Sequence, residues 1–532
     1  MASRPWYSFL GALLPSKTPA IVRLTLAGLS GAILSLSFRD AHSSFFSWFC
    51  LAVLILSVLG TRARVAFLCG FLHGLIFVVT CVPWIAEVLA VHGGMSVAAG
   101  WGVLLLIATV WGCSIGLFTW VLQRLEPYGI VRVLAGAPFL WVSTEVLRAY
   151  LPEISFPWGL LGYPAAGNPA LVQLTTITGI YGVSFLVAAV NVLLIWVLAA
   201  PVEGKKSRLA MVGAIIVVLL AAQYVGPRFL PRAELRHVAR VVQPNFPENE
   251  NYAGDWYADH KADLVELEQL SLRRSAGPPT PDLLVWPEAP APFSFQDPHF
   301  GPYISHLAQE FQHPVIVGVI DWKPAQDTSQ RVPPGRLMPY NSAAMLNPLG
   351  QRVFLYDKIH LVPFGEYEPF PLIHQVVTSV SEEVGGFHKG KERLVGRFPN
   401  GNTFSVFICY EAIYAGEIRE FVHNGAQLLV NISNDGWFGT SEAAEQHMRM
   451  VRVRAVENRR WVMRDTNSGI TAVIDPYGNE TRVMKRDTRD SADLPYDFRS
   501  DLTIYSRFGD WFAWMCVGVS AILVMSTFRK AK

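Results

Sequence analysis

The sequence predicts an α-helical membrane bundle of about eight spans joined to a separate α/β domain. Three observations carry this. The 532 residues are 51% hydrophobic with a mean hydropathy of +0.30, too many for one ordinary domain and too apolar for a purely soluble chain. Apolar runs near the roughly 20 residues that cross a bilayer's hydrocarbon core crowd the first 231 positions and return once near the C-terminus. Between them, short β-branched runs alternate with amphipathic stretches, the pattern of an α/β domain. The expected division is 1–231 for spans one to seven, 232–507 for the α/β domain, and 508–532 for span eight and a tail.

The seven early runs are about Ile21 to Phe38, Ser44 to Leu59, Val65 to Leu89, Met95 to Leu122, Val131 to Leu147, Leu171 to Ala199 and Leu209 to Val225. The eighth is about Trp511 to Phe528. One run follows another without a convincing small-residue cleavage site, so the first is read as a span and not as a cleaved signal peptide. Orientation follows from Lys and Arg in short loops, which stay cytoplasmic. Arg62 and Arg64 follow span two, Arg124 and Arg132 span four, Lys205, Lys206 and Arg208 span six, and Arg529, Lys530 and Lys532 span eight. The loop after span three, with Val91, His92, Gly93 and Gly94, has neither Lys nor Arg. The amino terminus is therefore expected inside and the α/β domain outside the cytoplasm.

Ionisable groups are costly in lipid, so Glu145 and Arg148 in span five draw notice. At i and i+3 they share a helical face, and a structural ion pair is the expected use. A net charge of +2 with only 16% charged residues supplies no footprint for a phosphate backbone, which excludes nucleic acid as a partner. Cys50, Cys69, Cys81, Cys113 and Cys516 lie in apolar runs, where a thiol behaves as a small hydrophobe. Cys409 alone lies in the polar region, so no disulfide can form within that domain.

Strands are expected at His237 to Val242, Leu283 to Trp286, Val315 to Ile320, Ser342 to Leu346, Gln351 to Tyr356, Phe404 to Ile408 and Gln427 to Ile432. Helices are expected at Asp263 to Arg273, Ile304 to Phe311, Tyr414 to His423 and Ser441 to Asn458. Lys323 to Pro339, rich in Pro, Gln and Arg, reads as a loop.

Three reactive side chains follow these strands, where catalytic groups of α/β folds gather. Glu288 comes after a strand stopped by Pro287, Lys358 after Val353 to Asp357, and Cys409 after Phe404 to Ile408. A thiol attacks as thiolate, and its pKa falls near a helix amino terminus or a cation; Cys409 could have both if the fold brings Lys358 to it. Glu288 could accept the thiol proton, and Lys358 with backbone donors could stabilise the oxyanion of a tetrahedral intermediate. Together they form a minimal set for acyl transfer through a thioester. Singly, each has a plainer use: a buried core cysteine, a solvated lysine, a helix-capping carboxylate.

The blocks Val285-Trp286-Pro287-Glu288, Tyr356-Asp357-Lys358-Ile359-His360-Leu361-Val362-Pro363-Phe364-Gly365-Glu366 and Ile408-Cys409-Tyr410-Glu411 resemble motifs of the nitrilase superfamily. With Asn431 to Gly439, Phe156-Pro157-Trp158 and Gly162-Tyr163, and an α/β domain inserted before the last of eight spans, the chain is similar over nearly its whole length to the bacterial apolipoprotein N-acyltransferase family. The resemblance implies an αββα nitrilase-like sandwich with Glu288 as base, Lys358 as oxyanion stabiliser and Cys409 as nucleophile. Glu366 would be a second carboxylate beside the lysine, Tyr410 and Glu411 would support the cysteine, and Trp437 would lie near a lipid entrance. Trp256 would match a mobile lid tryptophan. It further implies a phospholipid acyl donor, a diacylglyceryl apolipoprotein acceptor, and a multi-pass place in a bacterial inner membrane with the catalytic domain periplasmic.

Two other readings share these residues: a membrane-tethered amidase or nitrilase with water as acceptor, and a transporter or scaffold whose hydrolase-like domain is inert. No metal is expected, because His360, His374 and His388 are too widely spaced for a local ligand pair, and no organic cofactor is expected.

Overall fold

Backbone N–H and C=O groups find no water inside a lipid bilayer, so an apolar run that crosses it satisfies them within itself, as a helix. The computed structural model describes residues 17–40, 42–151, 155–198, 202–231, 233–247, 256–275, 277–288, 294–324, 337–367, 386–482 and 484–528. Long apolar helices occupy Ala63–Cys81, Val97–Leu125, Ile130–Tyr150, Ile180–Leu198, Val202–Tyr224 and Trp511–Phe528. These six are the ones long and apolar enough to cross a membrane among the described residues; Ala20–Leu36 and Ser43–Val58 are shorter apolar helices.

Two expected spans are interrupted. The helix begun at Ala63 stops at Cys81, and Trp84–Val91 forms a separate helix. Pro83 lacks an N–H and pushes the preceding Val82 out of the helical region, to φ −128° and ψ 45°. The expected run from Leu171 instead holds a 3-10 turn at Leu171–Leu174 and a short helix at Thr175–Thr178, then breaks at Gly179 before Ile180–Leu198. Gly179 has φ +64°, a left-handed conformation that glycine adopts without strain.

The chain forms two compact units. The first comprises Met1–Ala86, Ala98–Pro231 and Phe508–Lys532; the second comprises Arg232–Arg507 together with Glu87–Val97. In the first unit glycines let helix backbones approach closely, as in membrane packing generally. A Cβ on Gly70 would meet the Ile115 carbonyl oxygen at 2.4 Å, and one on Gly74 would meet the Gly112 Cα at 2.9 Å. Buried polar side chains lock the same bundle. Arg23 donates to the carbonyls of Ser57 (3.0 Å) and Leu59 (2.8 Å). The Asn191 side chain accepts from Ala52 N–H (2.9 Å) and donates to the Ser47 carbonyl (2.9 Å).

Glu145 and Arg148 feel each other's charge, as an ion pair would, but make no direct salt bridge. Glu145 Oε1 accepts from the Trp141 indole (3.0 Å) and from Leu161 N–H (2.7 Å), while Arg148 donates to Ser114 Oγ (3.2 Å) and lies 4.4 Å from the centre of the Trp111 ring. The stretch 155–161 is not helical, so its N–H groups need side-chain acceptors, and the tertiary fold brings Leu161 to Glu145.

The second unit is built on two six-stranded sheets. The first has the order β12-β1-β2-β3-β4-β5, from β1 (His237–Gln243), β2 (Leu283–Val285), β3 (Val315–Pro324), β4 (Leu337–Leu346), β5 (Arg352–Asp357) and β12 (Asp490–Tyr496). The second has the order β11-β10-β9-β8-β7-β6, from β6 (Gly396–Arg397), β7 (Thr403–Ile408), β8 (Leu428–Ser433), β9 (Trp461–Thr466), β10 (Ala472–Ile474) and β11 (Glu480–Arg482). β1 lies against β9 and β4 against β7, so the sheets stack face to face. Helices Trp256–Leu272 and Phe300–Phe311 bury Leu264, Leu267, Ile304 and Leu307 against the first sheet. Helices Ala415–His423 and Ala443–Asn458 pack on the second, completing an αββα sandwich. Both ends of the expected Lys323 to Pro339 loop are strand, because β3 and β4 pair out to Pro324 and Leu337.

The close helix approach gives a direct test. Gly70→Ala should destabilise the protein by about 1–3 kcal/mol through overpacking. Gly102→Ala, whose Cβ would meet nothing within 4 Å, should leave the melting temperature unchanged or slightly raised. Thermal melting of the detergent-solubilised protein separates the two; equal melting temperatures would contradict the packing.

Candidate active site

Parallel strands that run side by side present their carboxyl ends along one edge, where side chains from different strands converge. β1, β2 and β3 are parallel neighbours, as are β7, β8 and β9. Glu288 follows β2, and its approach is held by Trp286 N–H to the Ile316 carbonyl (2.8 Å) and Gly318 N–H to the Pro287 carbonyl (3.2 Å). Lys358 follows β5, with its N–H on the Asn341 carbonyl at 2.8 Å. Cys409 follows β7.

Lys358 is 1% exposed and lies between two carboxylates, with Nζ 3.0 Å from Glu288 Oε1 and 2.9 Å from Glu366 Oε1. Burial alone would push its pKa down, but Glu288 and Glu366 outweigh that and hold the ammonium charged. Asn341 Nδ2 bridges the same two oxygens, at 2.8 Å from Glu288 and 2.6 Å from Glu366. Val362 N–H donates to the other Glu366 oxygen at 2.7 Å. The second sheet reaches this group through Asn434, just past β8, whose N–H donates to Glu288 Oε2 at 2.9 Å.

The Cys409 thiol feels the charges of Glu288, Lys358 and Asp435, and Ser433, whose hydroxyl donates to Asp435 at 3.0 Å, favours its ionised form. Its pKa is pushed up to about 12, first by burial and then by Glu288, with Lys358 opposing. The expected depressed, thiolate-forming cysteine is therefore corrected: burial, with Glu288 and Asp435 set against Lys358, keeps the resting thiol neutral. The helix that follows is also only a five-residue 3-10 turn, Cys409–Ile413, whose few aligned peptides give little dipole.

Cys409 has φ +46°, a left-handed conformation that costs a non-glycine residue about 1–3 kcal/mol and persists only where its surroundings enforce it. Two groups enforce it. Glu411 is fully buried and accepts four hydrogen bonds: from Ile408 N–H (2.7 Å), Ile359 N–H (2.7 Å), His360 N–H (3.2 Å) and the Tyr356 hydroxyl (2.7 Å). It thus ties the end of β7 to the end of β5. Behind the cysteine, His447 Nε2 lies 3.0 Å from the Cys409 carbonyl oxygen. The His447 ring is held by Asp435 (3.3 Å) and Arg464 (3.3 Å), and Arg464 Nη2 contacts both Asp435 oxygens at 2.8 and 2.7 Å. Burial would raise the Asp435 pKa, but Arg464 and His447 reverse this and hold it well below the usual carboxylate range.

The fold therefore brings Glu288, Lys358, Cys409, Glu366 and Glu411 together. Tyr410 is buried, with its hydroxyl 3.4 Å from that of Tyr414. Trp437 lies in a 3-10 turn at Asp435–Phe438, three residues beyond Asn434, and meets the His92 ring edge-on at 4.9 Å. Trp256 opens its helix, but its side chain lies outside the described residues, as does His374. His360 stacks on Tyr414 at 4.1 Å with Nε2 3.2 Å from Glu417, a packing and hydrogen-bonding place beside Lys358.

Asn341, Asn434, His447 and the Asp435–Arg464 pair are site components that the strand-end argument passes over. Asn341 carried one signal, a polar residue that with Ser342 interrupts a mostly apolar strand. His447 sits in a helix of low apolar periodicity and carried none.

Comparison with known proteins agrees in order and extent. Residues 30–193 match the family model described as apolipoprotein N-acyltransferase N-terminal domain, and residues 239–490 match that described as carbon-nitrogen hydrolase. An apolipoprotein N-acyltransferase of Geobacter metallireducens is 34% identical over 511 residues, 95% of each chain. Those of Chlorobaculum tepidum and Allorhizobium ampelinum are 29% and 31% identical, covering 93% and 86% of this chain and 95% and 86% of theirs. The chain belongs to the apolipoprotein N-acyltransferase family.

Proposed function

We propose that this membrane protein transfers an acyl chain from a phospholipid, through a thioester on Cys409, to the N-terminal amine of a diacylglyceryl-cysteine in an apolipoprotein. The observation that carries the mechanism is the convergence on one point of a thiol from the second sheet and a Glu288–Lys358 pair from the first. Family membership supports the donor and acceptor classes, and chains that remain lipid-anchored suit an enzyme with spans of its own. The basic loops that follow even-numbered spans support a bacterial inner-membrane location with the catalytic domain on the periplasmic side.

Because the resting thiol is neutral, attack and proton removal are coupled. Glu288 takes the Sγ proton as sulfur bonds to the donor's ester carbonyl carbon. Lys358 and the Tyr410 N–H stabilise the resulting oxyanion. Collapse breaks the carbon–oxygen ester bond, and Glu288 returns the proton to the departing lysophospholipid oxygen. In the second half the neutral amine attacks the thioester, Glu288 takes its extra proton, the carbon–sulfur bond breaks, and that proton restores the thiol. Glu366 and Asn341 hold Lys358 and Glu288 in place throughout.

Wild-type protein incubated with phospholipid alone should gain an acyl mass on the Cys409 peptide, and Cys409→Ala should gain none; an adduct on the alanine variant would overturn the mechanism. Adding a diacylated lipopeptide should then yield its N-acylated form, whereas fatty-acid release without that product would point to water as acceptor.

The neutral thiol gives a second test. Alkylation of Cys409 by iodoacetamide should be slow near neutrality and keep rising with pH toward about 12. Glu288→Gln removes a negative charge that raises the thiol pKa, so it should speed alkylation below that pH, roughly tenfold for each unit the pKa falls, while abolishing acyl transfer. A variant that slowed both reactions would contradict the assigned roles.

A further inference from the structure

Beneath the reacting thiol lies a buried polar unit that none of the proposed proton transfers uses. His447, Asp435 and Arg464 are each 0% exposed, and the only backbone group of the cysteine they touch is its carbonyl oxygen, 3.0 Å from His447 Nε2. A carbonyl can only accept, so Nε2 carries the proton. The other ring nitrogen lies 3.3 Å from both the Arg464 guanidinium and Asp435 Oδ1, so the Cys409 carbonyl is the contact that fixes the proton on Nε2. Burial and the adjacent Arg464 lower the ring's pKa against the opposing pull of Asp435, and a neutral ring with its proton on Nε2 can accept from Arg464 at Nδ1. Asp435, gripped by Arg464 through both oxygens, fixes the guanidinium that in turn fixes the ring.

The consequence runs through one peptide plane. A trans peptide is planar, with its carbonyl and the next N–H pointing opposite ways. Holding the Cys409 carbonyl toward His447 therefore aims the Tyr410 N–H away from it. That N–H begins the 3-10 turn, has no carbonyl of the turn three residues behind it, and meets no acceptor among the described residues. A left-handed cysteine has no neighbouring strand to hold this plane, because the β7–β8 pairing ends at Ile408 and Ile432.

We infer that His447 is a positioning residue for acyl transfer: by clamping the Cys409 carbonyl, it orients the Tyr410 N–H as a preset donor to the oxyanion formed at the cysteine. The inference rests on the reading of Cys409 as the acyl-accepting nucleophile. It assigns Asp435 and Arg464 the task of holding the histidine ring in place and not of moving protons.

Two reactions of one thiol separate this from a merely structural role. Acylation by a phospholipid passes through an oxyanion, whereas alkylation by iodoacetamide displaces iodide from a saturated carbon and needs no oxyanion donor. His447→Phe keeps a ring and loses the donor; His447→Gln can restore an N–H near the Nε2 position. With full-length protein in detergent micelles and a diacyl phospholipid as donor, the rate of acyl-mass gain at Cys409 should fall at least about tenfold in H447F. Alkylation at the same pH should stay within about twofold of wild type, and H447Q should recover part of the acylation rate. The inference is overturned if H447F acylates at the wild-type rate, if it loses acylation and alkylation in proportion, or if H447Q does no better than H447F. Failure of the parent reading looks different: wild-type protein itself would take no acyl group at Cys409, and both ideas would fall together.

Discussion

Glu411 is the point on which the second unit's chemistry hangs. Its carboxylate is taken wholly out of water, which burial opposes by raising its pKa, and it is accommodated because four donors converge on it. Three of those donors are backbone N–H groups from two different sheets. Removing the carboxylate would strip the acceptor from the Ile408, Ile359 and His360 N–H groups, and leaving the buried Ile408 N–H unsatisfied costs about 1–3 kcal/mol. The carboxylate therefore sets the separation between the strand end that carries Cys409 and the one that carries Lys358.

Given that separation, the electrostatics follow from counting charges. Lys358 is shared by Glu288 and Glu366, and Asn341 donates to both, so one cation and two anions sit in a dry cluster beside the thiol. The two carboxylates keep the ammonium protonated, while burial and then Glu288 keep the thiol neutral. A standing thiolate would react with any passing electrophile or oxidant; a neutral thiol next to a carboxylate gains nucleophilicity only as its proton leaves. The left-handed Cys409 backbone fits the same scheme, since strain held by Glu411 on one side and His447 on the other is strain that need not be acquired during the reaction.

The membrane unit obeys a different constraint. Without water to drive helices together, close packing and internal hydrogen bonds must serve, and both are visible in the Gly70, Gly74 and Gly112 contacts and in Arg23, Asn191 and Glu145. Glu145 shows how misleading sequence spacing can be there. An i,i+3 charge pair suggests a partner on the same helix, yet in lipid the more urgent demand is an orphan backbone N–H, and Leu161 supplies one.

Much of this molecule is legible in its sequence, because it rests on local rules. Apolar runs become helices and β-branched runs become strands whatever surrounds them, and Glu288, Lys358 and Cys409 stand out because each follows such a strand. The breaks at Pro83 and Gly179 were equally local, though diluted by the long apolar runs that contain them. The ionisation of Cys409 was not local. Its helix is too short to lower the pKa, and what decides it is burial and a carboxylate 121 positions earlier in the chain. The same holds for Asn341, Asn434 and His447, whose partners lie 53, 146 and 38 residues away. Sequence by itself determined which reactive groups exist and at which strand ends they emerge; only the stacking of the two sheets decided their protonation, their partners and the strained backbone of the cysteine, because charge–charge and desolvation energies depend on distances that the chain sets only when folded.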